Sequence, residues 1–170
     1  EKCTLKIEKE MRDMKLVTFG RPILDVIIRL QPFESYISIG GVETNVALNT
    51  ALLGKESILL GAIGSDILYQ KLEDFARLVN KLNLNLQRIK DKKSGIIVLV
   101  IGENDKVYQK FVDYGASEYF RITPTVQKQI TEGGIFFTSL FSANTPALRT
   151  QWKKMIQLAK NNSLKIAVNF

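Results

Sequence analysis

Short apolar runs alternate along this chain with stretches that have the periodicity of an amphipathic helix. The run SILLGAIG at 57–64 indicates a buried strand, and the apolar residues of 68–82 recur at the spacing of one helical face. Thr-Pro pairs at 123–124 and 145–146 are typical of helix starts, with threonine as the N-cap and proline in the first turn. This alternation predicts an α/β fold with a mainly parallel sheet covered by helices on both faces.

Two segments predict structure that departs from this simple alternation. Residues 16–30 are interpreted as one opening strand with a break at 20–22, where Gly-Arg-Pro interrupts the apolar pattern. Two extended runs within 95–112 flank Asn104-Asp105, which favours a small antiparallel hairpin set apart from the main sheet.

The composition restricts the chemistry that the chain can perform. Its 170 residues, of which 45% are hydrophobic, suit one domain with its own core. Histidine is absent, which excludes Ser-His-Asp and Cys-His nucleophile systems and removes the commonest metal ligand. Acid–base chemistry would therefore fall to carboxylates, lysines or tyrosines, and no metal ligand is predicted.

The positive charge of the chain does not indicate a nucleic-acid partner. The formal net charge is +7, but the basic residues are scattered and are not interleaved with aromatic residues. The nearest approach to a cluster is Lys153, Lys154, Lys160 and Lys165, which is interpreted as a solvated helix face.

The sequence favours a cytoplasmic protein without a membrane partner. Its longest apolar run, at 95–102, is too short to span a bilayer. Residues 1–14 mix both charges and lack an apolar core, so they are predicted to be an N-terminal extension and not a secretory signal. The single cysteine, Cys3, excludes an internal disulfide framework and fits a reducing compartment.

Gly40 and Gly41 end an extended run directly before the helical pattern of 42–54. Glycine permits close backbone approach, and amide groups at a helix start can bind an oxygen-rich ligand. Asn45, in the first turns of that helix, would offer a donor and an acceptor to hydroxyl groups. Two interpretations are open: a site for a ligand with several hydroxyls, or a tight turn with Asn45 merely exposed.

Asp25 interrupts the otherwise apolar run PILDVIIRL. An ionised carboxylate is costly to bury without partners, so Asp25 should be paired, lie at a strand end, or face a polar ligand. A solvated edge position and a role in accepting hydrogen bonds from ligand hydroxyls are both open.

Taken together, these motifs resemble the PfkB (ribokinase-like) family of carbohydrate and nucleoside kinases. GGVETNVALNTALLG is similar to its first signature, Gly-Gly-x-x-x-Asn-x-Ala ending in Leu-Gly. LGAIGSD, which by itself indicates a strand-to-helix turn capped by Ser65 or Asp66, matches the Gly-x-x-Gly-x-Asp that follows. FGRPILDVI is similar to the opening strand, with Asp25 in the place of the substrate-binding aspartate. The resemblance covers about 16–170 in collinear order.

The resemblance implies a three-layer α/β/α sandwich, present here in part, with a small antiparallel β lid over the substrate. Residues 15–170 would be the N-terminal part of the kinase domain, with lid elements near 27–39 and 95–112. The implied activity is transfer of the γ-phosphoryl group of ATP, with Mg²⁺, to a hydroxyl of a sugar or nucleoside. The implied partners are that small molecule and a second copy, in a homodimer formed through the lid.

The resemblance also implies which residues bind the substrate. Asp25, Gly40, Gly41 and Asn45 match the family's substrate-binding positions. Asn169, in the last predicted strand, is a further candidate. The acceptor stays open, because the glycine signature is similar to fructokinase-like members whereas FGRPILD is similar to adenosine kinases.

Two departures from the family pattern bear on catalysis. The Gly-Ala-Gly-Asp motif that carries the family's catalytic base does not occur in the 170 residues. The base is therefore expected beyond Phe170, together with most of the nucleotide site, and this chain alone is expected to be inactive. Tyr69 stands where a glycine is usual. The alternative is a kinase-like protein that has lost catalysis and acts as a binding or scaffold subunit.

Overall fold

The computed structural model describes residues 14–170. Cys3 and nearly all of the predicted N-terminal extension lie outside the described residues. The strands are β1 (Leu16–Phe19), β2 (Ile23–Leu30), β3 (Phe33–Gly40), β4 (Ser57–Gly64), β5 (Leu82–Ile89), β6 (Gly95–Ile101), β7 (Val107–Asp113), β8 (Ile135–Ser139) and β9 (Lys165–Asn169). The helices are α1 (Val42–Leu52), α2 (Ile67–Leu78), α3 (Pro124–Thr131) and α4 (Pro146–Asn161).

The main sheet is parallel throughout, with the strand order β5-β4-β1-β8-β9. Successive side chains of its buried strand β4 point to opposite faces, as the geometry of a strand requires. Ile58 and Leu60 pack in a core that includes residues of α3 and α4. Leu59 and Ile63 pack in a second core with residues of α1 and α2. Helices therefore cover both faces of the sheet, which confirms the predicted α/β sandwich.

A second sheet has the order β3-β2-β6-β7. It contains the predicted antiparallel hairpin, formed by β6 and β7, but it also contains β2 parallel to β6 and β3 antiparallel to β2. The prediction of one broken opening strand is wrong, because β1 belongs to the main sheet and β2 to the second sheet. The break at 20–22 is the crossover between them. The predicted lid positions, 27–39 and 95–112, fall largely on this second sheet, and their role as a lid stays a prediction.

Local signals account for the helix starts. Asp66 caps α2, where its carboxylate accepts a hydrogen bond from the amide of Leu68 (3.2 Å). Thr123 and Thr145 cap α3 and α4 by accepting hydrogen bonds from amides three residues ahead (3.3 Å each). These caps satisfy donors that the helix itself leaves free, and the predicted helix starts are confirmed.

The long helix α4 has the solvated basic face that was predicted. Lys153, Lys154 and Lys160 are exposed on it, whereas Lys165 is the first residue of β9. Within residues 14–170, none of the helices combines the length and the apolar character needed to cross a bilayer.

Candidate active site

The two sheets meet where the chain leaves the main sheet and returns to it. The crossover at 20–22 leads into β2, β3 runs back antiparallel to it, and α1 begins directly after Gly41. The register places Ile23 opposite Gly40, so Asp25 lies two residues from that pair on the same face of the sheet. This topology brings the two sequence signals, Asp25 and the glycine pair, into one place.

Each of the paired glycines is required for a different reason. A Cβ on Gly40 would overlap the carboxylate of Asp25, so the missing side chain makes room for that acid. Gly41 has a φ of 101°, a conformation that side chains with a Cβ rarely adopt, and a Cβ there would meet the Arg21 carbonyl. The glycines therefore serve close packing around the site as well as the turn into α1.

A cavity of about 310 Å³ opens between the second sheet and the start of α1. Asp25, Gly41 and Asn45 all line it, and their binding of substrate stays a prediction. Asn45 is exposed to solvent on α1, and Asp25 is half-buried on β2. Gly40 does not line the cavity and lies against the Asp25 carboxylate. The volume is at the lower end of the range that small-molecule sites occupy.

Apolar side chains form much of the cavity wall. Ile97 and Leu99 contribute from β6, and Phe141 contributes from the turn after β8. Apolar surface can pack against a sugar ring or a base, while the polar groups of a site fix the orientation of the ligand.

Asp25 is available as a hydrogen-bond acceptor. Burial raises the pKa of its carboxyl above the usual value, and no other described group alters that pKa detectably. Its carboxylate makes no ion pair within 4.0 Å with residues 14–170. A ligand hydroxyl could donate to it without displacing an existing partner.

Arg21 is a site residue that the sequence patterns did not reveal. It lines the cavity from the crossover, is only 8% exposed, and holds its guanidinium carbon 4.4 Å from the centroid of the Tyr114 ring. Burial lowers its pKa, and nearby Tyr114 and Glu43 offset part of that effect. The only sequence signal was the charge itself, in a short break between two apolar runs.

Glu43 is the second residue that the patterns missed. It is 2% exposed in the first turn of α1, where the helix dipole favours a negative charge. Its Oε1 accepts hydrogen bonds from the Ser139 amide (2.7 Å), the Ser139 hydroxyl (2.5 Å) and the Ser142 hydroxyl (2.8 Å). Glu43 thereby joins the start of α1 to the end of β8 beside the cavity.

The GAIGSD turn lies apart from the cavity lining, as its structural interpretation predicted. Gly61 leaves room for the Gly20 carbonyl, and Asp66 also accepts hydrogen bonds from the amide (2.5 Å) and hydroxyl (2.7 Å) of Ser94. Tyr69 projects from α2, with the Arg88 guanidinium carbon 4.3 Å from its ring centroid. These contacts hold the strand-to-helix turn in place.

Asn169 does not join the other candidate residues. It is exposed in β9, opposite Ser139 in the register of the main sheet, and it does not line the cavity. Residues 14–170 also contain no group of three or more Cys, Asp or Glu side chains arranged to hold a metal ion. No Mg²⁺ ligand set is therefore assigned to this part of the chain.

Comparison with known proteins identifies the fold. No family model and no curated protein matches the sequence significantly. Fructokinase from Halothermothrix orenii matches the structure with a TM-score of 0.80 at 18% identity, over 91% of this chain and 56% of that one. Adenosine kinase from Sinorhizobium meliloti matches with a TM-score of 0.75 at 13% identity, over 92% and 56%.

Ribokinase from Giardia lamblia matches with a TM-score of 0.77 at 15% identity, over 92% of this chain and 50% of that one. A fructokinase from Xylella fastidiosa with bound ATP matches with a TM-score of 0.75 at 17% identity, over 93% of this chain and 52% of that one. This chain thus spans about half the length of the kinases that it matches. It has the fold of the N-terminal part of the ribokinase-like (PfkB) kinases.

Proposed function

We propose that this chain is the substrate-binding N-terminal part of an ATP-dependent phosphotransferase that acts on a hydroxyl of a sugar or nucleoside. The observation that carries the proposal is the convergence of Asp25, Gly41 and Asn45 on one cavity beside the start of α1. The fold similarity to fructokinase, adenosine kinase and ribokinase supports the same class of acceptor.

Each polar group has a distinct role in this proposal. The carboxylate of Asp25 accepts hydrogen bonds from two hydroxyls of the substrate. The amide of Asn45 donates to one further oxygen and accepts from another. Ile97, Leu99 and Phe141 pack against the ring of the acceptor. Together these contacts orient one hydroxyl for reaction, and such positioning is a large part of how phosphoryl transfer is catalysed.

The second sheet is proposed to act as the lid. It carries Asp25 and two of the apolar wall residues, so substrate binding and water exclusion would involve the same strands. ATP supplies the phosphoryl group when bound, and Mg²⁺ neutralises its charge. No residue of this chain is assigned to the nucleotide, to the metal or to the catalytic base.

The proposal is tested with the Asp25→Ala variant of the full-length protein. Initial rates with ATP and a panel of fructose, ribose and adenosine should show kcat/KM reduced by about 10- to 100-fold or more, because a charged hydrogen-bond acceptor for the substrate is lost. Glu34→Ala is the matched control, since Glu34 is an exposed acid on the same sheet outside the cavity. An unchanged kcat/KM in the Asp25 variant would overturn the assignment.

A second candidate function is a non-catalytic, kinase-like binding or scaffold protein. It is favoured by Tyr69, which stands where the family pattern usually has a glycine. Calorimetric binding of a sugar or nucleoside, with no ATP turnover in the full-length protein, would support this alternative. Measurable turnover by the 170-residue chain itself would refute it.

A further inference from the structure

The strand β5 forms one edge of the main sheet, and its outer side is open. It pairs with β4 over Leu82–Ile89, and no other strand within residues 14–170 pairs with it. The Ser57 amide donates a hydrogen bond to the Lys81 carbonyl (2.9 Å), so Lys81 and every second residue after it direct their backbone groups towards β4. Leu84 and Leu86 lie between those residues, and their amide and carbonyl groups therefore point away from the sheet.

The strand β5 lacks the features that usually protect an edge strand from pairing with another chain. Charged side chains, proline, bulges and short length all discourage such pairing. The first six residues of β5, LNLNLQ, include no charge and no proline, and their register with β4 has no irregularity. Among the other edge strands, β3 carries Glu34 and β7 carries Lys110 and Asp113. The remaining edge strand, β9, has five residues and begins with Lys165.

Unfilled space adjoins the centre of β5 on both faces of the sheet. A cavity of about 400 Å³ is lined by Asn83 and Leu84 together with residues at the start of β4. A groove of about 280 Å³ lies on the face covered by α2, between Leu84 and the side chains of Tyr69 and Ala76. The helices therefore cover β5 incompletely, and a strand added at this edge would bring side chains next to both spaces.

The sequence of β5 is complementary to itself when two copies run antiparallel. The pattern LNLNL at 82–86 is symmetric about Leu84. A two-fold axis at Leu84 places leucine opposite leucine at each position whose backbone groups point outwards. Asn83 of each copy then lies opposite Asn85 of the other, on one face of the sheet, where their amides can exchange hydrogen bonds. Asparagine is depleted in strands, and this pairing gives the two asparagines a function.

We propose that two copies of this chain associate through β5, which pairs with itself as antiparallel strands and joins the two main sheets into one. Backbone hydrogen bonds at Leu84 and Leu86 close both edges, and the two-fold arrangement leaves no β5 edge for a third copy. Arg88 lies opposite the uncharged Asn80 in this register, so no like charges face each other directly. The inference goes beyond the proposed function, because β5 contributes no residue to the cavity beside α1.

Hydrogen exchange of the full-length protein, resolved by NMR at low and high protein concentration, tests the pairing. The amides of Leu84 and Leu86 should exchange roughly 10-fold or more slowly in the dimer than in the monomer, because only the dimer supplies acceptors for them. The amides of Asn83 and Asn85 are the internal control. They face β4 and should be protected equally at both concentrations.

Paired charge variants test the register by sedimentation velocity of the full-length protein. The double variant Asn83→Lys, Asn85→Lys places like charges opposite each other and should raise the Kd of self-association roughly 10-fold or more. The double variant Asn83→Lys, Asn85→Glu places opposite charges there and should associate about as well as the unsubstituted protein. Asn83 is exposed and Asn85 is half-buried, and melting temperatures check that both variants fold.

The control variant adds the same positive charge away from β5. Gln127→Lys on α3, combined with Asn161→Lys on α4, replaces two exposed amides and should leave the Kd unchanged. A loss of association in the Lys/Lys variant with recovery in the Lys/Glu variant supports the inference. Equal losses in the Lys/Lys variant and in this control would show that net charge alone weakens association, which overturns it.

Three further outcomes overturn the inference. The first is an unsubstituted protein that stays monomeric up to its solubility limit. The second is a dimer that dissociates with Phe33→Ser but keeps its Kd in the Lys/Lys variant, since the interface would then lie on the second sheet. The third is equal loss of association in the Lys/Lys and Lys/Glu variants, which would contradict pairing centred on Leu84. All of these experiments measure self-association alone, so their failure leaves the proposed function intact.

Discussion

The two sheets of this protein are exposed to solvent to very different degrees. All eight residues of β4, in the main sheet, are buried, whereas six of the eight residues of β3, in the second sheet, are exposed. The main sheet is covered by helices on both faces, so its side chains stabilise the fold. The second sheet leaves large apolar side chains in solvent, and stability alone does not explain that composition. We therefore propose that the second sheet is the part of this fold that binds a ligand or a second copy of the chain.

The largest effect is expected in the core of the main sheet. Leu60 on β4 is fully buried, so Leu60→Ala removes apolar contacts and leaves a cavity. The free energy of unfolding should fall by about 2–5 kcal/mol. Urea denaturation followed by circular dichroism measures it. A loss below about 1 kcal/mol would show that the main sheet is not the stabilising core, and the comparison between the sheets would fail.

The second-largest effect on stability is expected at Glu43, which connects the candidate site to the main sheet. Glu43→Ala leaves the Ser139 amide and two serine hydroxyls without their acceptor. We expect the unfolding free energy to decrease by about 1.5–3 kcal/mol, since these are hydrogen bonds to a charged group.

Glu43→Gln is the matched control, because its side chain keeps an oxygen that can accept from part of the same set. It should lose less stability than Glu43→Ala in the same denaturation experiment. Equal losses in the two variants would show that the charge, and not the hydrogen-bond acceptor, accounts for the role of Glu43.

The sequence predicted some elements of each sheet and missed others. The strand β4 and the capped helices α2, α3 and α4 were predictable, because burial patterns and N-caps are local signals. The strand β5 was not predicted, because Leu and Asn alternate in it and asparagine is depleted in strands. The separation of β1 from β2 depends on pairing with distant strands, so the local break at 20–22 could not reveal it.

The site itself was predictable in part. Asp25, Gly41 and Asn45 stood out because each broke a local pattern or matched a signature, and all three line the cavity. Arg21 and Glu43 act through contacts with residues about 90 positions away along the chain, such as Tyr114 and Ser139. No signal within a short window of sequence identifies such contacts.

A smaller effect on the melting temperature is expected from substitution of Asp25. Because burial raises the pKa of its carboxyl in the folded state, the folded protein binds more protons than the unfolded chain between the two pKa values. Asp25 therefore lowers stability as the pH rises through that window, and this loss persists at neutral pH. Asp25→Asn should slightly raise the melting temperature at pH 7 and make no difference at a pH below the unfolded pKa. Thermal melts across pH 3–8 measure this, and a lower melting temperature at pH 7 would contradict the account.

The smallest effect on stability should come from the second sheet. Phe33 is 77% exposed on the edge strand β3, so Phe33→Ser should change the unfolding free energy of the isolated chain by no more than about 0.5 kcal/mol. Ile37 on the same strand and Phe111 on the opposite edge strand β7 are also more than half exposed. If these surfaces form the homodimer that the family resemblance implies for the lid, Phe33→Ser should weaken self-association while stability per chain stays nearly constant.

Sedimentation velocity over a concentration series measures that self-association, and Leu78→Ser provides the control. Leu78 is 85% exposed but lies at the end of α2, outside the second sheet. A dimer that dissociates in the Phe33 variant and persists in the Leu78 variant would place the interface on the second sheet. Equal dissociation in both variants, or none in either, would remove the lid from the interface.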